Sequence, residues 1–316
     1  MRETVWITGG HGFIGRHMAM TLSREGANVY GIGHRGSAEP GGMPYGLKGW
    51  LDGDVATSNL ALLCNRSGPP TRIYHLAGGS SVGAAIAAPH EDFRRTVDST
   101  AEVLAWLHRH SPQTTLVVAS SAAVYGAGHD GAIGETAPLS PFSPYGHHKA
   151  MMESLCRSYG TSYGTSSVIV RLFSVYGSGL HKQLLWDLCS RLRADPGSPE
   201  LGGTGDELRD WTDVRDVVRA LVFCADRAAP DAPAINAGSG IATSVRDVAA
   251  TVAAAWASGG KRRAVRFSGR SRPGDPFSLV ADATLLRDVG FEWHVPLEQG
   301  IADYVHWFRQ QGEGSH

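Results

Sequence analysis

The sequence predicts an α/β fold in which a doubly wound parallel sheet is joined to a smaller, mixed α/β lobe. Short apolar runs alternate with helical patterns through the first half of the chain, a glycine-rich turn follows the first run, and the alternation ends after about Tyr176. Strand–helix alternation of this kind implies right-handed crossovers, which build a parallel sheet between two layers of helices.

The elements of the first half follow directly from this pattern. The predicted strands are apolar on both faces, which is typical of strands that helices cover on both sides, and they lie at residues 4–8, 28–32, 71–76, 115–120 and 167–172. The predicted helices between them lie at residues 14–25, 89–110 and 145–159.

The second half has a different pattern. Gly, Pro and charged residues are dense between Ala194 and Asp210. The later elements are helices at residues 213–224, 244–257 and 296–308 and a strand at residues 234–238. We therefore expect a Rossmann domain over residues 1–173, to which residues 211–238 return. Residues 174–210 and 239–311 would form the substrate-binding lobe, and residues 312–316 a tail resembling a purification-tag remnant.

Composition excludes several classes of protein. The 316 residues are 42% hydrophobic and 19% charged, with a net charge of −1, so we expect a soluble protein with no nucleic-acid or membrane partner. The four cysteines have no C-x-x-C spacing, which indicates free thiols in a reducing compartment and no metal site. No apolar run has transmembrane length, and the first strand leaves no room for a signal peptide. We therefore expect a cytoplasmic protein.

A glycine-rich turn follows the first predicted strand and precedes the first helix. Its glycines have the spacing G-x-x-G-x-x-G, which lets the backbone approach a pyrophosphate whose charge the helix N-terminus stabilises. The position between a strand and a helix favours this interpretation over a turn without a ligand. The residues expected to contact a dinucleotide here are Gly9, Gly12, Phe13, Ile14 and Gly15.

The end of the second predicted strand bears on the choice of cofactor. An acidic side chain at this point binds the ribose 2′-hydroxyl of NAD. This chain has Gly33-His34-Arg35 instead, which offers space and positive charge for a 2′-phosphate. The sequence therefore predicts NADP(H) in preference to NAD(H), bound by His34 and Arg35. The alternative is an exposed Arg35 that stacks on the adenine.

A second motif brings a phenol and an ammonium group one helical turn apart. Tyr145 and Lys149 differ by four positions and so share a helix face, as they also would on an ordinary amphipathic surface helix. We expect the ammonium to lower the pKa of Tyr145, so that it exchanges a proton with a substrate hydroxyl while hydride moves to or from a nicotinamide. Ser121, which follows an apolar strand, is expected to hold the same oxygen. His147 and His148 are expected to point to other faces and to serve packing or solvation.

On these motifs the chain resembles the extended short-chain dehydrogenase/reductase family, in its nucleotide-sugar epimerase/dehydratase branch. The resemblance covers nearly the whole chain. Further segments that carry it are Gly53-Asp54-Val55, Tyr74-His75-Leu76-Ala77, Arg171-Leu172-Phe173-Ser174-Val175-Tyr176-Gly177, Gly205-Asp206-Glu207-Leu208-Arg209-Asp210-Trp211, Asn236-Ala237-Gly238-Ser239-Gly240, Arg272-Pro273-Gly274-Asp275 and Val289-Gly290-Phe291.

The resemblance implies a role for individual residues. Tyr145 would be the catalytic acid/base, Lys149 would lower its pKa and hold the nicotinamide ribose, and Ser121 would orient the substrate oxygen. Arg209 and Arg272 would bind the diphosphate of a nucleotide sugar. The remaining expected cofactor contacts are Asp54, Val55, Leu76, Ala77 and Gly78, and the remaining expected substrate contacts are Ser80, Ser81, Ser174 and Lys182.

The chain also departs from the family pattern. Ala122 and Ala123 stand where the family's 4,6-dehydratases carry an acidic pair for elimination, which argues against dehydration. Ser174 and Thr96 stand where the family often has asparagine. These changes put a substrate contact at Ser174 in doubt and are expected to alter a structural hydrogen bond at Thr96.

Four functional hypotheses remain. The leading one is an NAD(P)-dependent epimerase that acts at C4 of a nucleotide-diphosphate hexose by transient hydride transfer. The alternatives are an NADPH-dependent reductase of a 4-keto-6-deoxy sugar nucleotide, a cofactor-binding regulator without turnover, and a ketoreductase of an uncharged natural product. We also expect a homodimer, since family members often pair through helices like those at residues 89–110 and 145–159.

Overall fold

A computed structural model describes residues 2–34, 45–194, 197–257, 260, 263–270 and 276–311. The strands within these ranges are β1 (Thr4–Thr8), β2 (Asn28–Gly33), β3 (Gly49–Asp52), β4 (Arg72–His75), β5 (Thr115–Ser121), β6 (Ala132–Ile133), β7 (Ser167–Leu172), β8 (Ser174–Tyr176), β9 (Glu200–Leu201), β10 (Leu208–Asp213), β11 (Ala234–Ala237), β12 (Ala242–Ser244), β13 (Arg266–Phe267) and β14 (Ser278–Ala281).

The α-helices in the same ranges are α1 (Phe13–Arg24), α2 (Thr57–Ser67), α3 (Val82–Ala87), α4 (Pro89–Phe93), α5 (Ser99–His110), α6 (Pro144–Tyr163), α7 (Gln183–Ala194), α8 (Val214–Cys224), α9 (Val245–Ala257), α10 (Thr284–Asp288) and α11 (Leu297–Gln310). A π-helical turn (Arg94–Asp98) joins α4 to α5, and 3₁₀ turns lie at Ala122–Val124 and Ala225–Arg227. In the described part of the chain, every helix is too short or too polar to reach across a membrane.

The chain divides into two compact units. The first consists of Met1–Gly126, Ala137–Leu172 and Val218–Ile235, and the second of Ala127–Thr136, Phe173–Val217 and Asn236–His316.

The first unit is built on a seven-stranded sheet in the order β11-β7-β5-β4-β1-β2-β3. The strands from β7 to β3 pair in parallel, so the predicted doubly wound parallel sheet is confirmed. The chain reverses its direction of winding between β1 and β4, and ligands of such sheets bind beyond the carboxyl ends of the strands at this point. The turns that follow β1 and β4 are therefore the place to look for a site.

The core of this unit contains two tryptophans in contact. The rings of Trp6 in β1 and Trp106 in α5 are fully buried, with their centroids 4.9 Å apart. The indole N–H of Trp6 donates to the hydroxyl of Ser67, 2.9 Å away at the end of α2. These contacts fix α2 and α5 against the sheet.

The predicted helix at residues 89–110 is interrupted. Thr96 and Val97 lie in the π-helical turn and are buried, and the Ser99 N–H donates to the Arg94 carbonyl five residues earlier. A π turn adds one residue to the helix, and residue patterning does not reveal it because both flanking segments keep helical spacing. The sequence also missed β3 and α2, which are short and weakly patterned.

The second unit contains the mixed lobe. Its larger sheet has the order β12-β10-β14-β6, with β8 also paired to β10, and β9 pairs with β13 separately. Asp210 in β10 is buried, and its carboxylate accepts hydrogen bonds from the backbone N–H groups of Ser239, Gly240 and Ala281. This carboxylate joins three segments of the lobe. Sequence patterning found no strand here because three of the six residues of β10 are charged and they do not alternate with apolar residues.

Candidate active site

The glycine turn after β1 leaves no room for side chains. Gly9 has a φ of +70°, and a Cβ on it would lie 2.9 Å from the backbone nitrogen of Ala77 in the turn after β4. A Cβ on Gly15 would collide with the Gly9 carbonyl oxygen, and one on Gly12 would lie 3.0 Å from that oxygen. The turn therefore requires glycines at the positions where the sequence predicts a pyrophosphate.

The N-terminus of α1 has the features of an anion site. Gly12 is its N-cap and supplies no side-chain hydrogen bond, and the first turn contains no acidic residue. The first N–H groups of a helix carry partial positive charge and favour an anion in front of them. Phe13, Ile14 and Gly15 form this first turn, so the residues present fit the pyrophosphate of a dinucleotide.

His34 and Asp54 are hydrogen-bonded at the edge where β2 and β3 end. His34 Nε2 lies 2.9 Å from Asp54 Oδ1, and Arg94 Nη2 lies 3.8 Å from Asp54 Oδ2. The hydrogen bond from His34 holds the pKa of Asp54 below its usual value. Arg35 lies outside the described residues. The sequence predicted His34 and Asp54 as separate cofactor contacts, and their pairing was not foreseen.

Beneath the glycine turn, His75 bridges two strands and a helix. Its Nδ1 lies 2.8 Å from the Thr8 hydroxyl, and its Nε2 lies 3.0 Å from the Thr100 hydroxyl. The Thr8 hydroxyl also accepts a hydrogen bond from the Ala77 N–H at 3.1 Å. Burial lowers the pKa of His75 to about 3, and the charge of Lys149 adds to the effect. A neutral His75 therefore supports the backbone of Leu76, Ala77 and Gly78.

We expect His75 to make the protein sensitive to acid. In the unfolded chain a histidine protonates near pH 6.5, whereas the folded protein resists protonation until near pH 3, so stability falls as pH falls through this window. One such group changes the free energy of unfolding by about 1.4 kcal/mol per pH unit. Urea unfolding at several pH values should show this slope, and His75→Asn should flatten it. An unchanged slope in the variant would contradict the prediction.

Ser121, Tyr145 and Lys149 are brought together within the first unit. Ser121 ends β5, and its Oγ accepts a hydrogen bond from the Ala123 N–H at 3.2 Å. Tyr145 is the second residue of α6, whose N-cap hydroxyl on Ser143 accepts from the Gly146 N–H at 3.2 Å. The Ser121 hydroxyl lies close enough to the Tyr145 phenol to favour a lower pKa of that phenol. A strand end and a helix start thus bring two hydroxyl groups together.

Lys149 lies one turn further along α6 and is buried. Its Nζ donates to the Ala119 carbonyl in β5 at 2.8 Å and lies 5.9 Å from the centroid of the Tyr145 ring. Burial lowers the pKa of Lys149 to about 8, while the carboxylates of Asp92 and Glu153 oppose this shift. The ammonium is thus held near the phenol but is bonded to the backbone.

The pKa of Tyr145 differs from the expectation drawn from the sequence. Lys149 was expected to lower it, but burial raises it above its usual value; the hydrogen bond from Ser121 opposes the shift and the charge of Asp92 adds to it. The reason is that desolvation of the buried phenol disfavours the phenolate. In this arrangement Tyr145 holds its proton.

The other predicted substrate contacts are distributed over both units. Ser80 is exposed at the end of the turn after β4, and Ser81 is the N-cap of α3, where its Oγ accepts from the Ala84 N–H at 3.3 Å. In the second unit, Ser174 begins β8, half-buried Lys182 precedes α7, and Arg209 in β10 donates to the Leu208 carbonyl at 2.8 Å. Arg272 lies outside the described residues, and Val55 is half-buried in the first unit.

Two features near the site were missed by sequence reasoning. His148 was expected to serve packing or solvation, but it is buried and its Nδ1 lies 2.6 Å from the carboxylate of buried Asp92. Its position three residues after Tyr145 was the available signal, because residues three apart share a helix face. The second feature is Glu153, which accepts hydrogen bonds from Ser120 at 2.6 Å and from Arg171 at 2.7 and 2.9 Å.

Within the described ranges, no three His, Cys, Asp or Glu side chains are grouped as a metal site requires. Ser121, Tyr145 and Lys149 lie in the same unit as a turn that fits a dinucleotide.

Comparison with known proteins gives a consistent result. The model of the NAD dependent epimerase/dehydratase family matches residues 5–238. The chain is 29% identical over 306 residues to a UDP-glucose 4-epimerase of Azospirillum brasilense, with 90% of this chain and 85% of that protein covered. Among solved structures, it is similar to MoeE5 in complex with UDP-glucuronic acid and NAD, at 30% identity, TM-score 0.82, and 98% and 99% coverage of the two chains.

This chain is also similar to the UDP-glucose 4-epimerase of Thermus thermophilus in complex with NAD, at 26% identity and TM-score 0.85, with 97% of this chain and 99% of that chain covered.

Proposed function

Because the chain belongs to the NAD dependent epimerase/dehydratase family, we propose that it is a UDP-sugar 4-epimerase that uses a bound NAD(P). The membership confirms the family resemblance of the sequence, and the chain is an enzyme of this family. The observation that carries the proposal is the cluster of Ser121, Tyr145 and Lys149 in the same unit as the glycine turn. The named activities of the similar proteins support the choice of a UDP-sugar as substrate.

In this proposal the protein moves one proton back and forth. The Ser121 hydroxyl holds the oxygen on C4 of the sugar, and the Tyr145 Oη takes the proton of that hydroxyl group. Because burial raises the pKa of Tyr145, the phenolate must be stabilised by positive charge, which the Lys149 ammonium supplies. A bound oxidised nicotinamide supplies the acceptor for hydride from C4 and later its donor. Tyr145 then returns the proton to the oxygen of the inverted centre.

Ala122 and Ala123 support epimerisation over dehydration. They follow Ser121 directly, and Ala122 is buried. Methyl groups at these positions supply neither the acid nor the base that elimination of a hydroxyl needs. We propose that Ser80, Ser81, Ser174, Lys182, Arg209 and Arg272 bind the substrate, with Arg209 and Arg272 on its diphosphate.

The test is conversion of UDP-glucose and UDP-galactose into each other, followed by separation of the two sugars. An epimerase converts each without net change in the absorbance of reduced nicotinamide. Stoichiometric consumption of NADPH with a 4-keto-6-deoxy sugar nucleotide would establish the reductase instead. Cofactor binding without conversion of any sugar nucleotide tested would favour the regulator.

We expect NADP(H) to bind more tightly than NAD(H). Gly33, His34 and Arg35 follow one another where an acidic residue would select NAD, and a guanidinium suits a 2′-phosphate. The Asp54 carboxylate beside His34 works against this preference. Fluorescence titration should show that Arg35→Ala weakens NADPH binding by about tenfold or more and leaves NADH binding unchanged.

Arg24→Ala, at the end of α1, is the matched control for that titration and should change neither affinity. Tighter binding of NADH by the unaltered protein would overturn the prediction. Both solved structures named above are NAD complexes, so tighter binding of either cofactor would be informative.

Homodimer formation stays a prediction. Of the apolar residues of α6 that were expected to permit it, Met151 is 46% exposed, whereas Met152 is fully buried in the core and Leu155 packs against that core. Met151 is thus the one of these three that is available to a partner.

A further inference from the structure

Asp92 and His148 form a buried hydrogen-bonded pair beside the candidate active site. Asp92 lies in α4 and His148 in α6, with relative exposures of 6% and 9% and 2.6 Å between Oδ2 and Nδ1. The His148 ring also packs edge-on against Phe93, with 5.5 Å between centroids. A buried carboxylate is costly unless it is hydrogen-bonded, so this contact favours one relative position of the two helices.

The pair reaches Lys149 through the turn that follows β4. The Asp92 carboxylate is packed against the backbone of Gly79. A Cβ added to Gly79 would collide with that carboxylate. The Gly79 N–H donates to the Thr96 hydroxyl at 2.8 Å. A Cβ on Gly78 would lie 3.3 Å from Lys149 Nζ and 3.4 Å from that hydroxyl. The backbone of Gly78 and Gly79 is therefore enclosed by Asp92, Thr96 and Lys149.

We propose that Asp92 and His148 are positioning residues for Lys149. His148 immediately precedes Lys149 on α6. Asp92 contacts the turn at Gly78 and Gly79, which borders the ammonium group of Lys149. Together they hold the ammonium where it meets the nicotinamide ribose. This inference rests on the cofactor-binding role of Lys149 in the proposed function, but it does not depend on which sugar is converted.

Charge gives Asp92 a second effect on Lys149. The charged or titratable groups that face Lys149 are Asp92 from α4, Glu153 and Tyr145 from α6, and His75 from β4. Burial lowers the pKa of Lys149 to about 8, and the Asp92 carboxylate works in the opposite direction. Removing the charge of Asp92 should therefore let Lys149 lose its proton at a lower pH.

A double-mutant cycle on cofactor affinity tests the proposal. NADPH and NADH are titrated against the unaltered protein, Asp92→Asn, Lys149→Met and the double variant. We expect each single change to weaken binding by about tenfold and the double variant to bind no more weakly than Lys149→Met, because both changes remove one interaction. Losses that multiply, or full affinity in Asp92→Asn, would overturn the proposal.

The controls separate positioning from folding. Glu91→Gln removes a neighbouring carboxylate of α4 that pairs with Arg95 at the surface, and it should leave affinity unchanged. If Asp92→Asn does not fold, as judged by thermal unfolding, His148→Gln takes its place in the cycle, because it keeps the Asp92 carboxylate and removes the imidazole that contacts it. The same criterion of non-additivity then applies.

The pH dependence of cofactor affinity gives a readout that simple loss of packing would not move. Affinity of the unaltered protein should fall above pH about 8, and this fall should move to lower pH in Asp92→Asn. An unmoved pH profile would contradict the proposal. Failure of the proposed function would look different, since no sugar nucleotide would be epimerised while the cofactor cycle remained non-additive.

Discussion

Tyr145→Phe is expected to lower kcat for epimerisation by about 10²–10⁴-fold, the usual contribution of a positioned acid/base. The change removes only the phenolic oxygen. The ring, the N-cap of α6 at Ser143 and the Lys149 contact with Ala119 all remain possible. We therefore expect the affinity for NAD(P)H to stay close to that of the unaltered protein, so that the loss appears in kcat.

The matched control is Tyr163→Phe on the same helix, whose side chain is 55% exposed. It removes an identical hydroxyl group and should leave kcat unchanged. Full turnover in Tyr145→Phe would exclude Tyr145 as the group that moves the proton. A biological role that survived this change would favour the regulator hypothesis.

Arg171→Met is expected to produce the largest loss of stability, about 3–5 kcal/mol in the free energy of unfolding. Arg171 and Glu153 are almost fully buried, and the guanidinium donates to both carboxylate oxygens and to the Tyr125 hydroxyl at 2.8 Å. Burial alone would raise the pKa of Glu153, but the bonds from Arg171 and Ser120 hold it below its usual value. Without Arg171, a charged or newly protonated carboxyl group would remain in the core.

The control is a second arginine that contacts the Glu153 carboxylate. Arg157 also contacts Glu153, at 3.2 Å, but its side chain is 39% exposed. Arg157→Met should cost less than about 1 kcal/mol, as exposed ion pairs usually do. Urea unfolding measures both values, and the double variant Arg171→Met with Glu153→Met should recover part of the loss. Equal losses for Arg157→Met and Arg171→Met would contradict this interpretation.

The parts of the fold that the sequence predicted are those with a strong local pattern. The strands at residues 4–8, 28–32, 115–120 and 167–172 are buried on both faces, and so their apolar runs are continuous and their ends differ from the observed ones by one residue or none. The turn after β1 was predicted because its glycines have a regular spacing directly after a strand; Gly12 and Gly15 are required by contact with the nearby Gly9 carbonyl, whereas Gly9 is required by contact with distant Ala77.

The parts that were missed depend on contacts between distant segments. The pairing of Asp92 with His148 joins residues 56 positions apart, and that of Glu153 with Arg171 depends on the packing of α6 against β7. The pKa of Tyr145 could not be derived from its spacing to Lys149, because it depends on how deeply the phenol is buried and on the nearby Ser121 and Asp92.

The π-helical turn at Arg94–Asp98 acts as a phase shift in the helix that carries it. Each residue of an α-helix advances the side-chain direction by about 100°. With one inserted residue, Asp92 and Thr96 both contact Gly79 in the turn after β4. Ser99 and Thr100, which follow the insertion, still contact His75. A deletion of one residue here could restore a regular helix, but it would rotate one of these two sets away from its partners. The length of this segment, together with the Thr96 hydroxyl within it, thus keeps both sets of contacts in place.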